Sequence, residues 1–273
     1  VGTGLSAGGS AAQATSNIFT TGALTTVGAF TFNIQNGGQN INQMLTGGQV
    51  IANDAALSLS AGSVATGDIL DVFLNNLDGG AINGNASILF SSAGAVTAGT
   101  DATFEIISAT NVGVTLTSSI GSDASIVFNS GSFSAGSLLT QIVNLDGATI
   151  GGNADLSFIT TGALNSTGNT IFRLLNFDDG QGLGGGTING DASINVNAGS
   201  LASGGLLVAR ILSHNGVILG DRSVPISLAN ALTAGGAPDF ALLALPRSGD
   251  GGPGTLCISV PRASRRLRAP LCP

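Results

Sequence analysis

The apolar positions along the chain fall in short alternating stretches. Ile88/Phe90, Phe104/Ile106, Val114/Leu116, Ile126/Phe128, Leu156/Phe158 and Ile194/Val196 are pairs two residues apart. That period is the mark of a strand with one buried face. Gly, Asn, Asp and Ser separate the stretches, and these residues accept the backbone angles of tight turns. No segment carries the 3.6-residue period of an amphipathic helix. Pro first occurs at Pro225, so nothing earlier removes a ladder hydrogen bond. The pattern predicts short strands joined by tight corners.

The corners repeat. A motif reads Asn85-Ala86-Ser87-Ile88, Asp123-Ala124-Ser125-Ile126, Asn153-Ala154-Asp155-Leu156 and Asp191-Ala192-Ser193-Ile194. Weaker copies begin at Asp54 and Asp221, and the steps from residue 54 are 31, 38, 30, 38 and 30. Two unit lengths therefore alternate in a super-repeat of 68 residues. A second marker follows in phase: Gly62-Ser63-Val64, Gly94-Ala95-Val96, Gly131-Ser132-Phe133, Gly162-Ala163-Leu164 and Gly199-Ser200-Leu201. A third comprises Leu77-Asp78-Gly79, Leu145-Asp146-Gly147 and Phe177-Asp178-Asp179-Gly180.

A unit of this size cannot bury its apolar face alone, so neighbours must stack into one continuous core. The expected fold is all-β: a right-handed parallel β-helix, or solenoid, of short strands with Gly/Asn/Asp corners. A β-sandwich array is the alternative, because hairpins also suit regular turn spacing. The residues per coil stay open between one 30-residue turn and about three turns per super-repeat. The eight extra residues of the longer unit are assigned to loops such as Asp178–Gly186 and Thr110–Ser119. Stacking would align Asn85, Asp123, Asn153 and Asp191 in a ladder. An Asn amide both donates and accepts there, and alternation with Asp limits like-charge contact. The expected domains are a solenoid over 1–228, with the register clear from about 14, then a solenoid end or degenerate repeat over 229–245. Residues 246–273 form an expected poorly ordered Arg/Pro/Gly-rich tail. Uncapped ends would expose strand edges and favour self-association.

Composition narrows the function classes. Of 273 residues, 43 are Gly and only 8% are charged, yet 43% are apolar. Mean hydropathy is +0.43, which argues against disorder, whose signature is low hydropathy with high charge. The net charge of −7 argues against nucleic-acid binding, and no apolar run is long enough for membrane insertion as a helix. Residues 1–245 hold 14 acids against Arg173, Arg210 and Arg222, whereas the tail is net basic. The chain opens on Val1 with no charged leader before an apolar run. The expectation is a fragment of a longer chain, with signal removal as the alternative. Cys257 and Cys272 both lie near the C-terminus, and a bond between them could not staple the body.

The motif series from Asp54-Ala55-Ala56-Leu57 to Asp191-Ala192-Ser193-Ile194 resembles repeats of secreted bacterial β-solenoids of the filamentous-haemagglutinin and autotransporter-passenger type. The likeness is one of style, Gly/Ala/Ser/Thr/Asn-rich without Lys, over about four-fifths of the chain. It implies a non-enzymatic, structural or adhesive region, extracellular or at the bacterial cell surface, with host or cell-surface glycans or proteins as partners.

Candidate chemistry is sparse. His214 is the single histidine, so no His cluster can hold zinc. Asp178-Asp179 and Asp68/Asp71 are carboxylate pairs of the kind glycoside chemistry uses, which leaves a polysaccharide-active β-helix enzyme as one alternative. Trp and Tyr, the usual sugar platforms, are absent. No cofactor is expected, except that Asp78, Asp146, Asp178 and Asp179 repeat in phase and offer oxygen ligands of the kind calcium prefers. A calcium-stabilised extracellular module is the other alternative. The Gly180–Gly190 run lacks the Lys-Ser/Thr of a phosphate loop, and no Thr-x-Thr array is sustained.

Overall fold

The computed structural model describes residues 2–7, 13–37, 49–110, 117–178, 184–245 and 254–259. No helix occurs among the described residues, and every pairing of named strands is parallel. This is a parallel β-solenoid, and among the described residues no strands form the hairpins a sandwich requires.

One repeat unit is one coil. Ala55, Ala86, Ala124, Ala154, Ala192 and Arg222 stand above one another in register. Each coil has four sides. In the coil starting at Ala124 they are the strands Ala124–Ser130, Ser132–Ala135, Leu138–Leu145 and Thr149–Ile150. Equivalent strands of successive coils build four sheets of eight, seven, eight and six strands, here called the first, second, third and fourth faces in the order just given for that coil, which is chain order. The two- and four-residue strands carry too few positions to show a period, which is why coil length stayed open in the sequence.

Alternation decides what is buried. In Ala154–Thr160, Ala154, Leu156, Phe158 and Thr160 point inward and the residues between are half-buried. Stacked coils turn each inward position into a column. Ile51, Ile82, Ile120, Ile150, Ile188 and Ile218 fill the fourth face, all fully buried. Phe90, Phe128 and Phe158 stack ring on ring, with centroids 5.1 and 4.1 Å apart and planes within 14° and 6°. Phe104, Phe133 and Phe172 meet that column edge-on, which suits the aromatic quadrupole.

The stack is longer than its motif. Gly2–Ala7 pairs with Phe30–Asn36, so it begins before residue 14. At the other end Asp239–Leu245 continues the third face. Gly254–Ser259 lies on Arg222–Leu228 in the first face, inside the segment expected to be a poorly ordered tail. That expectation is corrected there, because Leu256 packs on the core in the inward slot. Residues 246–253 and 260–273, including Cys272, lie outside the described residues. Pro225 leaves a local mark: the ladder between Ala192–Ala198 and Arg222–Leu228 omits Val224 and Pro225, as a missing N–H requires.

The two unit lengths differ mainly at one corner. Between the third and fourth faces the shorter coils use residues 78–80 or 146–148, and the longer ones use 110–118 or 178–186. Of these longer connections, 111–116 and 179–183 lie outside the described residues. The feet of the first are tied: Ser118 N donates to Thr110 Oγ1 at 2.9 Å, and Ser118 Oγ donates to the Ala109 carbonyl at 2.6 Å.

Candidate functional site

The Asn/Asp column lies at the corner that opens the first face. Asn85 N donates to Asp54 Oδ1 at 2.7 Å, Asp123 N to Asn85 Oδ1 at 3.2 Å, and Asn153 N to Asp123 Oδ1 at 2.7 Å. Asp191 N donates to Asn153 Oδ1, and Asp221 N to Asp191 Oδ1, each at 2.8 Å. The bonding group is a side-chain oxygen facing a backbone N–H of the next coil. Asn and Asp are equal in that role, and at one step the Asn85 side-chain amide also donates to Asp54 Oδ1, at 3.2 Å.

A second polar column is buried at the far end of the third face. Asn36, Asn76, Ser108, Asn144, Asn176 and Ser213 have no exposed surface. Asn36 Nδ2 donates to Asn76 Oδ1 at 2.7 Å, and Asn144 Nδ2 to Asn176 Oδ1 at 2.9 Å. These amides also satisfy carbonyls of the adjoining corner: Asn76 reaches Ser119 O at 2.9 Å, and Asn176 reaches Val217 O at 3.0 Å. This column holds the true side-chain amide ladder. Its signal was the Asn of Asn76-Leu77-Asp78, Asn144-Leu145-Asp146 and Asn176-Phe177-Asp178, where the Asp drew attention instead. A Cβ on Gly186 would stand 2.3 Å from Asn144 Nδ2, so the corner needs glycine for close approach.

Asp78 and Asp146 are turn residues. Asp78 and Gly79 have φ of 54° and 80°, Asp146 and Gly147 55° and 75°. Gly80 N donates to Leu77 O, and Ala148 N to Leu145 O, both at 3.0 Å. Two positive φ values inside an i to i+3 bond are the type I′ pattern. The register from Leu77 through Ala109 and Leu145 to Phe177 puts Thr110 between Asp78 and Asp146, and puts Asp146 and Asp178 in adjacent coils. Asp179 lies outside the described residues. Among the described residues no group of three His, Cys, Asp or Glu side chains is placed to hold a metal ion. His214 is exposed at the end of Leu207–His214.

Along the first face runs an open groove of about 360 Å³, with Asp54, Asn85 and Asp123 on one side and Ser87, Ser125 and Asp155 on the other. Burial pushes the Asp155 carboxyl above its ordinary range. The Ser193 hydroxyl, donating at 2.6 Å, opposes that, and the carboxylates of Asp123 and Asp191 add to it. On the outer side of the third face stands a row that the sequence reading did not single out. Gln141 Nε2 donates to Glu105 Oε2, and Arg173 Nε donates to Gln141 Oε1 at 2.5 Å. Burial raises the Glu105 carboxyl and lowers the Arg173 guanidinium, while their mutual attraction opposes both shifts.

No family model, curated protein or solved structure matches the chain.

Proposed function

We propose that the chain is a structural or adhesive repeat region of a bacterial surface or secreted protein, acting as a rod and not as an enzyme. The observation that carries this reading is where the polar chemistry goes. Corner carboxylates and buried amides are committed to bonds between coils. Eight stacked strands at about 4.8 Å make a body roughly 34 Å long, whose repeating sides can hold surface loops in a fixed array. The resemblance to filamentous-haemagglutinin and autotransporter-passenger repeats supports an extracellular or cell-surface place. It also supports host or cell-surface glycans or proteins as partners.

The test is retention without turnover. The full chain is immobilised and challenged with polysaccharides and cell-surface glycoproteins, and the eluate is assayed for cleaved polymer. Retention with intact polymer supports adhesion. Cleavage of a pectin-like or alginate-like polymer that disappears in Asp178→Asn/Asp179→Asn replaces the reading with a polysaccharide-active enzyme. A melting temperature that climbs with calcium and collapses with chelator replaces it with a calcium-stabilised module.

A further inference from the structure

The outer side of the third face changes character along the stack. In the early coils Thr31, Asn33, Gln35, Asp71 and Asn75 point outward beside Phe73. Farther on, two outward rows become apolar. Leu139, Ile171 and Val208 form one, and Ile107, Val143, Leu175 and Leu212 form the other. Val143 and Leu175 sit low in their row, 6% and 7% exposed, while Ile107, Leu139, Ile171, Val208 and Leu212 are part-exposed. Between the rows runs the polar line Glu105, Gln141, Arg173, Arg210. Its charge is acidic at one end and basic at the other. Arg210 is engaged only loosely in the chain itself: it approaches the exposed Asp239 at 3.9 Å, and its buried Nε has no hydrogen-bond partner.

We propose that this face is a docking surface for a second copy of the same chain, packed back to back in a closed two-fold dimer. The pattern is self-complementary about an axis running along the strands, between Leu138–Leu145 and Thr170–Phe177. Such an axis keeps each row facing its own counterpart and reverses the order of the coils. Val143 then meets the partner's Leu175, Ile107 the partner's Leu212, and Leu139 the partner's Ile171. Glu105 meets the partner's Arg210, and Gln141 the partner's Arg173. Over the central coils the apolar rows meet each other, apart from Thr103 facing the partner's Val208, and Glu105 meets the partner's Arg210 reciprocally on both sides of the axis, as in an isologous interface. One coil farther out, at the rim, the same register sets Asp71 opposite the partner's Asp239, a like-charge pair outside the Glu105–Arg210 match. Four to six coils of eight-residue strands offer about 500–750 Å² per copy, so the pair would bury roughly 1,000–1,500 Å², which reaches the lower part of the range of standard stable interfaces.

Sedimentation equilibrium and light scattering on the full chain test this. The expected mass is twice 26.6 kDa, with no growth beyond it. Glu105→Arg alone, or Arg210→Glu alone, sets like charges against each other and should raise the dimer Kd on the order of a hundred-fold. The double variant Glu105→Arg/Arg210→Glu restores the opposition and should recover most of that loss. Leu212→Asp, at a part-exposed position outside the charged row, should also dissociate the dimer and gives the answer if a charge reversal fails to fold. A chain that stays monomeric at every concentration overturns the proposal. So does an open-ended series of oligomers indifferent to these substitutions, which would mean end-to-end stacking of coils.

Discussion

Asn144 donates its side-chain amide to Asn176 Oδ1 at 2.9 Å, across two adjacent coils and without exposed surface on either residue. The same nitrogen lies 3.0 Å from Ala148 O and 3.1 Å from Thr187 O. One amide thus ties its own type I′ corner to the corner of the next coil. Asn144→Ala leaves buried carbonyls without a donor and should cost about 2–4 kcal/mol. Asn144→Asp should cost more, because it sets a buried carboxylate against oxygen acceptors. Urea midpoints should fall in the order wild type, Ala, Asp. An alanine variant as stable as wild type would show that the corner does not depend on this bond.

Phe158 stacks on Phe128 at 4.1 Å and meets Phe133 and Phe172 edge-on. It therefore couples two coils and three faces. Phe158→Ala should lose about 3–5 kcal/mol, the cost of a large core cavity. Phe158→Asp should unfold the neighbouring coils, since it places a charge in the shared interior. Circular dichroism against urea separates the outcomes, and an aspartate variant that melts like wild type would remove Phe158 from the core.

What the sequence disclosed and what it concealed follow from the same geometry. The Asn85, Asp123, Asn153 and Asp191 corners were legible because each precedes an Ala and a seven-residue alternating strand. The third face was harder to see. Its strand Leu138–Leu145 reads Leu-Leu-Thr-Gln-Ile-Val-Asn-Leu, and outward Leu139 and Val143 blur the period of two. Those outward apolar residues are the ones that form the proposed dimer face. The buried amides escaped for another reason. Asn is common in turns, and a single chain position gives no sign that the turn beside it is packed inside.

Thr140 occupies an inward position of the third face, between Phe104 and Phe172 in the adjoining coils. It is fully buried, and its Oγ1 has no hydrogen-bond partner. Val has nearly the same shape and nothing to desolvate. Thr140→Val should therefore raise stability by about 1 kcal/mol, read as a higher urea midpoint at unchanged slope. A loss on this substitution would mean that the hydroxyl is satisfied in solution.

Asp155 supplies a pH dependence whose sign is fixed by the direction of its shift. Burial, with Asp123 and Asp191 close by, lifts its folded-state pKa above the ordinary 3.8, despite the Ser193 hydrogen bond. Below 3.8 both folded and unfolded chains hold the proton, and the group's favourable contribution is fully present. As pH rises through the lifted value the folded chain must release that proton into a half-buried acidic corner, and the contribution is lost. Asp155→Asn keeps an oxygen for the Ser193 hydroxyl and removes the charge. The variant should be more stable than wild type at neutral pH, and the difference should shrink as pH falls toward 3.8. Urea unfolding of both chains at several pH values reads the difference directly, free of the parallel upward shifts at Asp71 and Glu105, which both chains share. A variant less stable at neutral pH would mean that the Asp155 carboxylate stabilises the fold, through a cation or a donor, instead of opposing it.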